Sequence, residues 1–466
     1  MGRDRSADVV VLGGGPAGLA AAWRVAESGR SVVLLERAPT LGGMAASFEV
    51  AGVRVDHGSH RLHPATEPDL LDDVRRLLGD DLQTRPRHGR LRLGDRWLGF
   101  PLTPGDLVRN LPRGFVVRAG FDAVTAPLRH ARADTYAEVL RAGLGPAMTS
   151  RFYGPYARKI WGLAPEEISG EQARKRVQAD SAAKLLRLVA RGAKRGAEGR
   201  GRTFFYPRRG FGQIVEVIAE AAAHAGAELR TAVSATVIAS GERPVVTLDD
   251  GSTVEAGRVL STVPITALAS LVEGAPTDVA AAASSMRFRA MCLVYVVHDG
   301  GRWTEYDAHY LPGPETPVTR LSEPANYRVS SEDPADRTVL CAEIPCDVGD
   351  AVWSATDDEL AAIVEDALRR SGLPPVRRTA VEVRRLPRAY PVYAVGFERS
   401  FATLDAWALS VPGVTTLGRL GLFAHDNTHH ALAMARDAAA ALTDDGWDDA
   451  AWAAARERFR HHVVED

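Results

Sequence analysis

Cysteine, lysine and long apolar runs are all scarce in this sequence. Its 466 residues include three cysteines, and none is spaced with a second cysteine or a histidine as a metal site requires. The cysteines are therefore expected to be reduced, as in a cytoplasmic protein, and no bound metal is predicted. The apolar run at 291–297 is too short to span a bilayer, and no apolar leader follows the charged residues at the start. We therefore expect a soluble, cytoplasmic protein without a membrane span.

The chain also lacks an excess of charge of either sign. It has 57 basic and 59 acidic residues, and only four of the basic residues are lysines. This balance argues against nucleic acid as a partner of the whole protein. Apolar residues make up 45% of the chain, which is ordinary for a globular protein. At roughly 150 residues per domain, the length predicts two or three domains.

A glycine-rich turn near the start of the chain lies between a predicted strand and a predicted helix. Its letters, GGGPAG at 13–18, give the pattern G-x-G-x-x-G. In this pattern Gly13 permits the tight turn, Gly15 lets the backbone approach a pyrophosphate, and Gly18 lets the helix pack closely on the strand. A second predicted strand ends at Glu36, whose carboxylate can accept hydrogen bonds from ribose hydroxyls. The free amides at the helix N-terminus favour phosphate binding, so the sequence predicts a dinucleotide-binding unit.

Two further segments favour FAD over NAD as the dinucleotide. The pair Gly42-Gly43 follows Glu36 directly and lets the backbone pass close to a longer, extended cofactor. Near the other end of the chain, a predicted strand ends at Gly418 and a predicted helix begins at Asn427. A helix N-terminus aimed at the flavin pyrimidine stabilises negative charge there. We expect one FAD, held non-covalently, because no residue marks an attachment site.

The predicted pieces of the nucleotide-binding domain are separated by two insertions. The FAD-binding domain is expected to be discontinuous, at 7–66, 203–288 and 408–445. The insertions at 67–202 and 289–407 are expected to form a substrate-binding domain with a mainly helical lobe and an antiparallel sheet. The predicted fold class is therefore α/β, with a Rossmann-like FAD-binding domain of the GR2 type and an inserted mixed α+β substrate domain. A cleft between two domains is a common place for a ligand.

Five segments of the chain resemble the flavin-containing amine oxidase and protoporphyrinogen oxidase superfamily, and most of all the branch that includes UDP-galactopyranose mutase. The whole superfamily shares the glycine turn with Glu36 and the second glycine pair. The other four segments are similar to the mutase: GSHRLH at 58–63, YARKIWG at 156–162, Tyr390-Pro391, and GRLG at 418–421 followed by Asp426.

Three departures place the chain between the mutase and the oxidases. Leu62 stands where the mutase has phenylalanine, and His425 stands where the mutase generally has an aromatic residue. The segment FFYPRRG at 204–210 is more similar to the oxidase and desaturase members. A shared fold does not by itself fix the reaction.

The motifs and the resemblance together imply a set of site residues. His60 is predicted to lie near the isoalloxazine and to help move a proton, with a structural role in its loop as the alternative. Arg158 and Trp161 are predicted to bind substrate through a guanidinium clamp and ring stacking, with a salt-bridged helix surface and a core tryptophan as the alternative. The basic run at 174–202 is interpreted as a solvated face.

The predicted residues fall into three groups. The catalytic residues are His60 and Arg158, and the substrate-binding residues are His63, Arg158, Trp161, Tyr390 and Arg419. The cofactor-binding residues are Gly13, Gly15, Pro16, Ala17, Gly18, Glu36, Arg37, Gly42, Gly43, Met44, Gly58, Ser59, His60, Val233, Gly418, Arg419, Asp426, Asn427 and Thr428.

Three functions are compatible with these features. The first is an FAD-dependent oxidoreductase that acts on a small polar metabolite, anionic or sugar-like, such as a nucleotide-sugar intermediate of natural-product biosynthesis. The second is a redox-neutral mutase that uses reduced FAD to change the size of a sugar ring, with NAD(P)H as an external reductant. The third is a flavin-binding protein without turnover. The substrate, the electron acceptor and the oligomeric state stay open at this point.

Overall fold

Two seven-stranded sheets organise the chain in this computed structural model, which describes residues 5–101, 105, 109–125, 134–176 and 203–464. The strands are β1 Arg5–Leu12, β2 Val32–Leu35, β3 Ser47–Val50, β4 Val53–Asp56, β5 Leu82–Pro86, β6 Gly89–Leu93, β7 Arg96–Phe100, β8 Thr203–Pro207, β9 Glu228–Arg230, β10 Ala235–Ala239, β11 Val245–Leu248, β12 Thr253–Ser261, β13 Arg287–Asp299, β14 Ala308–Tyr310, β15 Arg320–Ser322, β16 Arg337–Cys346, β17 Arg378–Val392, β18 Val414–Thr416, β19 Leu442–Thr443 and β20 Gly446–Trp447.

The helices cover both faces of the first sheet and form much of the inserted region. They are α1 Pro16–Glu27, α2 Pro68–Leu78, α3 Arg113–Thr125, α4 Tyr136–Met148, α5 Gly154–Trp161, α6 Gly170–Arg176, α7 Gln213–His224, α8 Ile265–Leu271, α9 Thr277–Ser285, α10 Ala351–Ser354, α11 Asp357–Arg370, α12 Phe397–Ser410, α13 Gly418–Gly421, α14 Thr428–Ala440 and α15 Asp449–Arg460. Among these described helices, none combines the length and the apolar character needed to cross a bilayer.

The first sheet has the strand order β10-β11-β12-β1-β2-β9, with β18 beside β12. Strand β1 runs parallel to β12 and to β2, and β18 and β9 continue the parallel set. Helix α1 makes the crossover from β1 to β2, and its buried face packs against the core of this sheet. The carboxyl ends of the parallel strands meet at one edge, where an open α/β sheet places its ligand. This arrangement confirms the predicted α/β fold class with a Rossmann-like nucleotide-binding part.

The second sheet has the order β17-β13-β16-β15-β14-β6-β7 and is largely antiparallel. Its strand β13 is buried along almost its whole length because β16 and β17 flank it and α11 covers it. The three cysteines are free and buried, and Cys292 and Cys346 on β13 and β16 have sulfur atoms 3.7 Å apart.

Strands β5, β6 and β7 correct the prediction that helices dominate after residue 67. Strand β5 pairs with β8, and the β6–β7 hairpin joins the second sheet through β14. The segments GRLRL and RWLGF alternate apolar and polar residues on either side of the turn Gly94-Asp95, which is the period of a strand. This alternation was not recognised as a strand pattern because the strands are short and arginine occupies their polar positions.

Helices α3 to α6 form a helical lobe beside the second sheet. A capping box of Thr135 and Glu138 begins α4, and this satisfies amides that the first turn would otherwise leave unpaired. Tyr136, Leu140 and Trp161 form the core of the lobe. Of the basic run at 174–202, residues 174–176 belong to α6, and residues 177–202 lie outside the described residues.

Candidate active site

A cavity of about 1160 Å³ lies at the carboxyl ends of β1 and β2, and residues of both sheets and of the helical lobe line it. This volume exceeds the roughly 300–1,000 Å³ of an ordinary ligand pocket. The cavity therefore has room for a cofactor and a substrate at the same time. Of the predicted site residues, all line the cavity except Gly18, Gly42, Arg158 and Trp161.

The glycine turn shows which glycines the protein itself requires. Gly13 has φ +101°, and a Cβ atom there would lie 2.4 Å from Oγ1 of Thr262. A Cβ atom at Gly18 would lie 1.8 Å from the carbonyl oxygen of Gly13, so its role is the close packing of α1 on β1. Gly15 differs, because its φ is an ordinary −79° and a Cβ atom there would meet nothing within 4 Å. Gly15 lines the cavity, so this free space suits a group that must approach the backbone.

Glu36 is oriented by backbone amides on both of its oxygens. Oε2 accepts a hydrogen bond from the Gly14 amide at 2.6 Å, and Oε1 accepts one from the Ala38 amide at 2.7 Å. The carboxylate is therefore fixed at the cavity wall, where its remaining lone pairs can accept ribose hydroxyls. Gly42 donates its amide to the Gly14 carbonyl at 2.7 Å, which joins the second glycine pair to the first turn.

A second helix N-terminus meets the same cavity from the far end of the chain. Asn427 caps α14, and Asn427 and Thr428 line the cavity. Gly418 has φ +80°, and a Cβ atom there would lie 3.0 Å from Cβ of Ala17, so α13 packs on the start of α1. The partial positive charges of two helix N-termini therefore act on one cavity, which favours a bound anion or a reduced flavin ring.

His60 lines the cavity half-buried, in a defined tautomer. Its Nε2 forms a 2.9 Å hydrogen bond with the carbonyl oxygen of His57, and its ring stacks on Phe211 with centroids 5.2 Å apart. Because a carbonyl can only accept, Nε2 carries the hydrogen and Nδ1 is left as an acceptor. Burial lowers the pKa of His60, so the imidazole is neutral at pH 7. This geometry is compatible with the predicted role in proton transfer and with a structural role in the loop.

An ion pair of Arg320 and Glu343, which no sequence motif indicates, also lines the cavity. Nη2 of Arg320 lies 2.6 Å from Oε1 of Glu343, and the same oxygen accepts the Ser59 amide at 3.0 Å. The pair therefore fixes the loop that carries Ser59 and His60. Arg320 and Glu343 stand on neighbouring strands of the second sheet, but they are 23 residues apart in the sequence, so no local motif joins them.

Two arginines and Tyr390 form a cationic wall of the cavity. The Arg176 guanidinium lies 5.1 Å from the Tyr390 ring centroid, and the Arg419 guanidinium lies 5.2 Å from the same ring. In the described part of the chain, the Nε atoms of both arginines are buried without a hydrogen-bond partner. Burial and then the charges of these two arginines lower the pKa of His425 well below its usual range, so His425 is neutral. A wall of this kind is complementary to a phosphate or a carboxylate.

The predicted pair of Arg158 and Trp161 is not at the cavity wall. Arg158 is exposed on α5, whereas Tyr156 and Ile160 of the same helix line the cavity. Trp161 is buried behind the wall, with its ring 5.6 Å from Tyr390 and 5.0 Å from His425. The wall residue from this region is Arg176, which lies at the start of the run that the sequence analysis interpreted as a solvated face.

Lys159, the neighbour of Arg158, does not line the cavity but binds the backbone of a nearby loop. Its Nζ donates hydrogen bonds to the carbonyls of Leu311, Gly313 and Val318, at 2.5, 2.8 and 2.8 Å. Burial lowers the pKa of Lys159 to about 7, but three acceptors require three hydrogens, so the bound form is the ammonium. Lys159 thereby holds the loop that precedes Thr319 and Arg320 of the cavity wall.

Comparisons with known proteins find a matching family model and relatives that match in part. A family model described as flavin containing amine oxidoreductase matches residues 16–439. The phytoene dehydrogenase of Streptomyces griseus is 42% identical over 77 residues, which cover 16% of this chain and 15% of that protein. A Mycobacterium tuberculosis protein named as a flavin-containing monoamine oxidase, AofH, is 28% identical over 276 residues, which cover 55% of this chain and 57% of that protein. The chain thus spans less than two thirds of these two relatives.

Several solved structures match along 94% or more of the chain. The structure of reduced UDP-galactopyranose mutase has a TM-score of 0.83 and 21% sequence identity, and the match covers 98% of this chain and 100% of the mutase. At this level of identity the likeness extends to the fold.

Proposed function

This chain belongs to the flavin containing amine oxidoreductase family, and from that premise we propose that it is an FAD-dependent oxidoreductase of a small anionic metabolite. Family membership implies a flavin cofactor, as the sequence motifs predicted. The observation that carries the proposal is that one cavity is lined by the Gly15 turn and also by the two arginines of the cationic wall. The first feature suits the diphosphate of FAD, and the second suits an anionic substrate beside it.

The residues that would hold FAD follow from the geometry of the cavity. The α1 N-terminus at Gly15 and Pro16 suits the diphosphate, and Glu36 suits the adenosine ribose. The α14 N-terminus at Asn427 suits the flavin pyrimidine. When bound, the flavin supplies the redox chemistry, and the protein supplies orientation and electrostatics.

The chain's own groups would prepare the substrate in three ways. Arg176 and Arg419 would bind its phosphate or carboxylate, and each buried Nε without a partner offers one donor. The Tyr390 hydroxyl would donate a further hydrogen bond to the same anion. Neutral His60 would accept a proton at Nδ1 as the substrate is oxidised.

A redox-neutral mutase is the second candidate function. It is favoured by the fold likeness to UDP-galactopyranose mutase along 98% of this chain, and the arginine wall would suit the diphosphate of a nucleotide sugar. In this case the flavin works in its reduced form, and NAD(P)H is a suitable external reductant. His425 and Leu62, which depart from the mutase pattern, favour the oxidoreductase.

The two functions differ in whether the oxidised or the reduced protein converts the substrate. The purified protein, with FAD bound, is mixed without oxygen with a panel of nucleotide sugars and small carboxylates, first oxidised and then reduced with dithionite. If the protein is an oxidoreductase, one compound should bleach the absorption of the oxidised flavin at about 450 nm. About one flavin should be reduced for each molecule of substrate. Conversion by the reduced protein alone, without net redox change, would instead establish the mutase. A protein that takes up no FAD would contradict both.

A further inference from the structure

Three potential metal ligands from two distant parts of the chain meet beside the cavity. Asp426 precedes α14 and lines the cavity, His430 lies in the first turn of α14, and His462 follows α15. Oδ1 of Asp426 lies 3.5 Å from Nδ1 of His430 and 3.5 Å from Nδ1 of His462. All three side chains are shielded, with exposed fractions of 6% for Asp426, 12% for His430 and 15% for His462.

The candidate ligand atoms of this cluster all lie within 4.8 Å of one another. Nδ1 of His430 accepts the Asn427 amide at 3.2 Å, so it carries no hydrogen of its own. Among the described residues, Oδ2 of Asp426 and Nδ1 of His462 are buried without a hydrogen-bond partner. A cation stabilises such an arrangement, whereas 3.5 Å is too long for a strong hydrogen bond.

We propose that Asp426, His430 and His462 bind a divalent transition metal of the Zn²⁺ class. Ligands about 2.1 Å from a tetrahedral metal lie about 3.4 Å from each other. This is close to the 3.5 Å that separates Oδ1 of Asp426 from Nδ1 of His430 and, before its ring turns, from Nδ1 of His462. One carboxylate oxygen and two imidazole nitrogens suit zinc, copper or nickel, whereas calcium and magnesium prefer oxygen ligands throughout. This inference departs from the sequence prediction that no metal is bound.

Binding requires one local change. The rings of His430 and His462 are stacked, with centroids 4.2 Å apart and planes at 14°, and two parallel rings cannot both point at one metal. His430 is fixed within α14, but His462 lies beyond the end of α15, so His462 is the ring that turns. The metal would also replace the weak hydrogen bond from the Asn427 amide.

The proposed site would join the C-terminal segment to the cavity. Lys175 of α6 donates to the carbonyls of Arg460 and His462, and the Val464 amide donates to the Lys175 carbonyl at 2.9 Å. Three protein ligands leave a fourth position for water or for a substrate anion. Because Asp426 lines the cavity, that position is close to the substrate that the cationic wall would bind.

The test compares two neighbouring histidines. The flavin-loaded protein, free of any histidine tag, is incubated with Zn²⁺ and dialysed, and its metal content is measured by mass spectrometry. We expect about one zinc per wild-type chain. The variant His462→Phe keeps a ring to stack on His430 but removes the nitrogen, and its zinc affinity should fall more than about 100-fold, since even outer partners of a metal site change affinity 10–100-fold. His461→Phe is the matched control, because His461 is 79% exposed and its zinc content should be unchanged.

A second measurement keeps the test decisive if His462→Phe folds poorly. X-ray absorption at the zinc edge of the wild-type protein should show two nitrogen ligands from histidine and at least one oxygen ligand. Zinc should also raise the thermal midpoint of the wild type and of His461→Phe, because it cross-links the C-terminal segment. A wild-type protein that retains no zinc, or a His462→Phe variant that retains as much as the wild type, would overturn the proposal. Neither result depends on the substrate or the reaction.

Discussion

Arg158 and Arg176 lie on consecutive helices of the helical lobe, but only Arg176 reaches the cavity. On a helix, successive residues point about 100° apart, so the face that carries Tyr156 and Ile160 into the cavity turns Arg158 to solvent. The sequence motif and the lining of the cavity therefore point to the same part of the helical lobe but to different arginines. The α6 residue Arg176 could not be selected from the sequence, because nothing local distinguishes it from the basic residues around it.

Exchanging each arginine for glutamine separates the two roles. We expect Arg176→Gln to weaken the binding of a nucleoside diphosphate about 10- to 100-fold, because a charged hydrogen bond is worth about 1.5–3 kcal/mol. Arg158→Gln should leave this affinity within about twofold of the wild type. Binding is followed as a change in the flavin absorption spectrum during titration. A larger loss of affinity in Arg158→Gln than in Arg176→Gln would indicate that Arg158, the arginine of the sequence motif, binds the substrate.

At the level of elements, the strand–turn–helix unit at the start of the chain was the best predicted part. Its spacing is local, and each of its glycines has a separate physical reason, so a single sequence was sufficient. The strands β5 to β7 were missed because they are short and carry arginine at polar positions, and because the outer partners of β5 and β6, β8 and β14, are distant in sequence. The pair of Arg320 and Glu343 could not be predicted from the sequence either. The pairing of β15 with β16 brings these residues together, and no rule of sequence spacing indicates that pairing.

Gly15 offers a direct test of the turn's role. In Gly15→Val the added side chain would occupy free space in the apoprotein but collide with a bound diphosphate. We expect FAD content after reconstitution to fall more than about tenfold, with an unchanged far-ultraviolet circular dichroism spectrum. Gly241→Val is the matched control, because a Cβ atom there also meets nothing within 4 Å and Gly241 does not line the cavity. Full flavin content in Gly15→Val would mean that the cofactor does not approach this turn.

For the whole molecule, buried neutral histidines make stability depend on pH. His309 lies among the rings of Trp97, Trp303 and Tyr306. Burial, and then the charge of Arg90, lowers its pKa to about 3. In the unfolded chain its pKa is about 6.5. Below pH 6.5 the His309 imidazole is therefore protonated in the unfolded state, whereas in the folded state it is protonated only below about pH 3. The free energy of unfolding is thus expected to fall as the pH falls through this window.

Replacing His309 removes one contribution of this kind. Between pH 7.5 and pH 5.5 the wild type should lose about 1 kcal/mol of unfolding free energy through His309 alone. His309→Phe should show a loss smaller by that amount, measured by urea denaturation at the two pH values. The exposed His461 provides the control, since His461→Phe should keep the wild-type difference. An equal pH dependence in His309→Phe and the wild type would show that His309 is protonated in the folded protein.

The walls of the cavity come from opposite ends of the chain, and this has a consequence for biogenesis. Gly13 follows the first strand, whereas Thr428 begins α14, so most of the polypeptide is synthesised between them. The ribosome delivers the N-terminal glycine turn long before the helix that completes the compartment. A coenzyme in this cavity can therefore be enclosed only after α14 has been synthesised, and a chain stalled before α14 would lack one wall of the compartment.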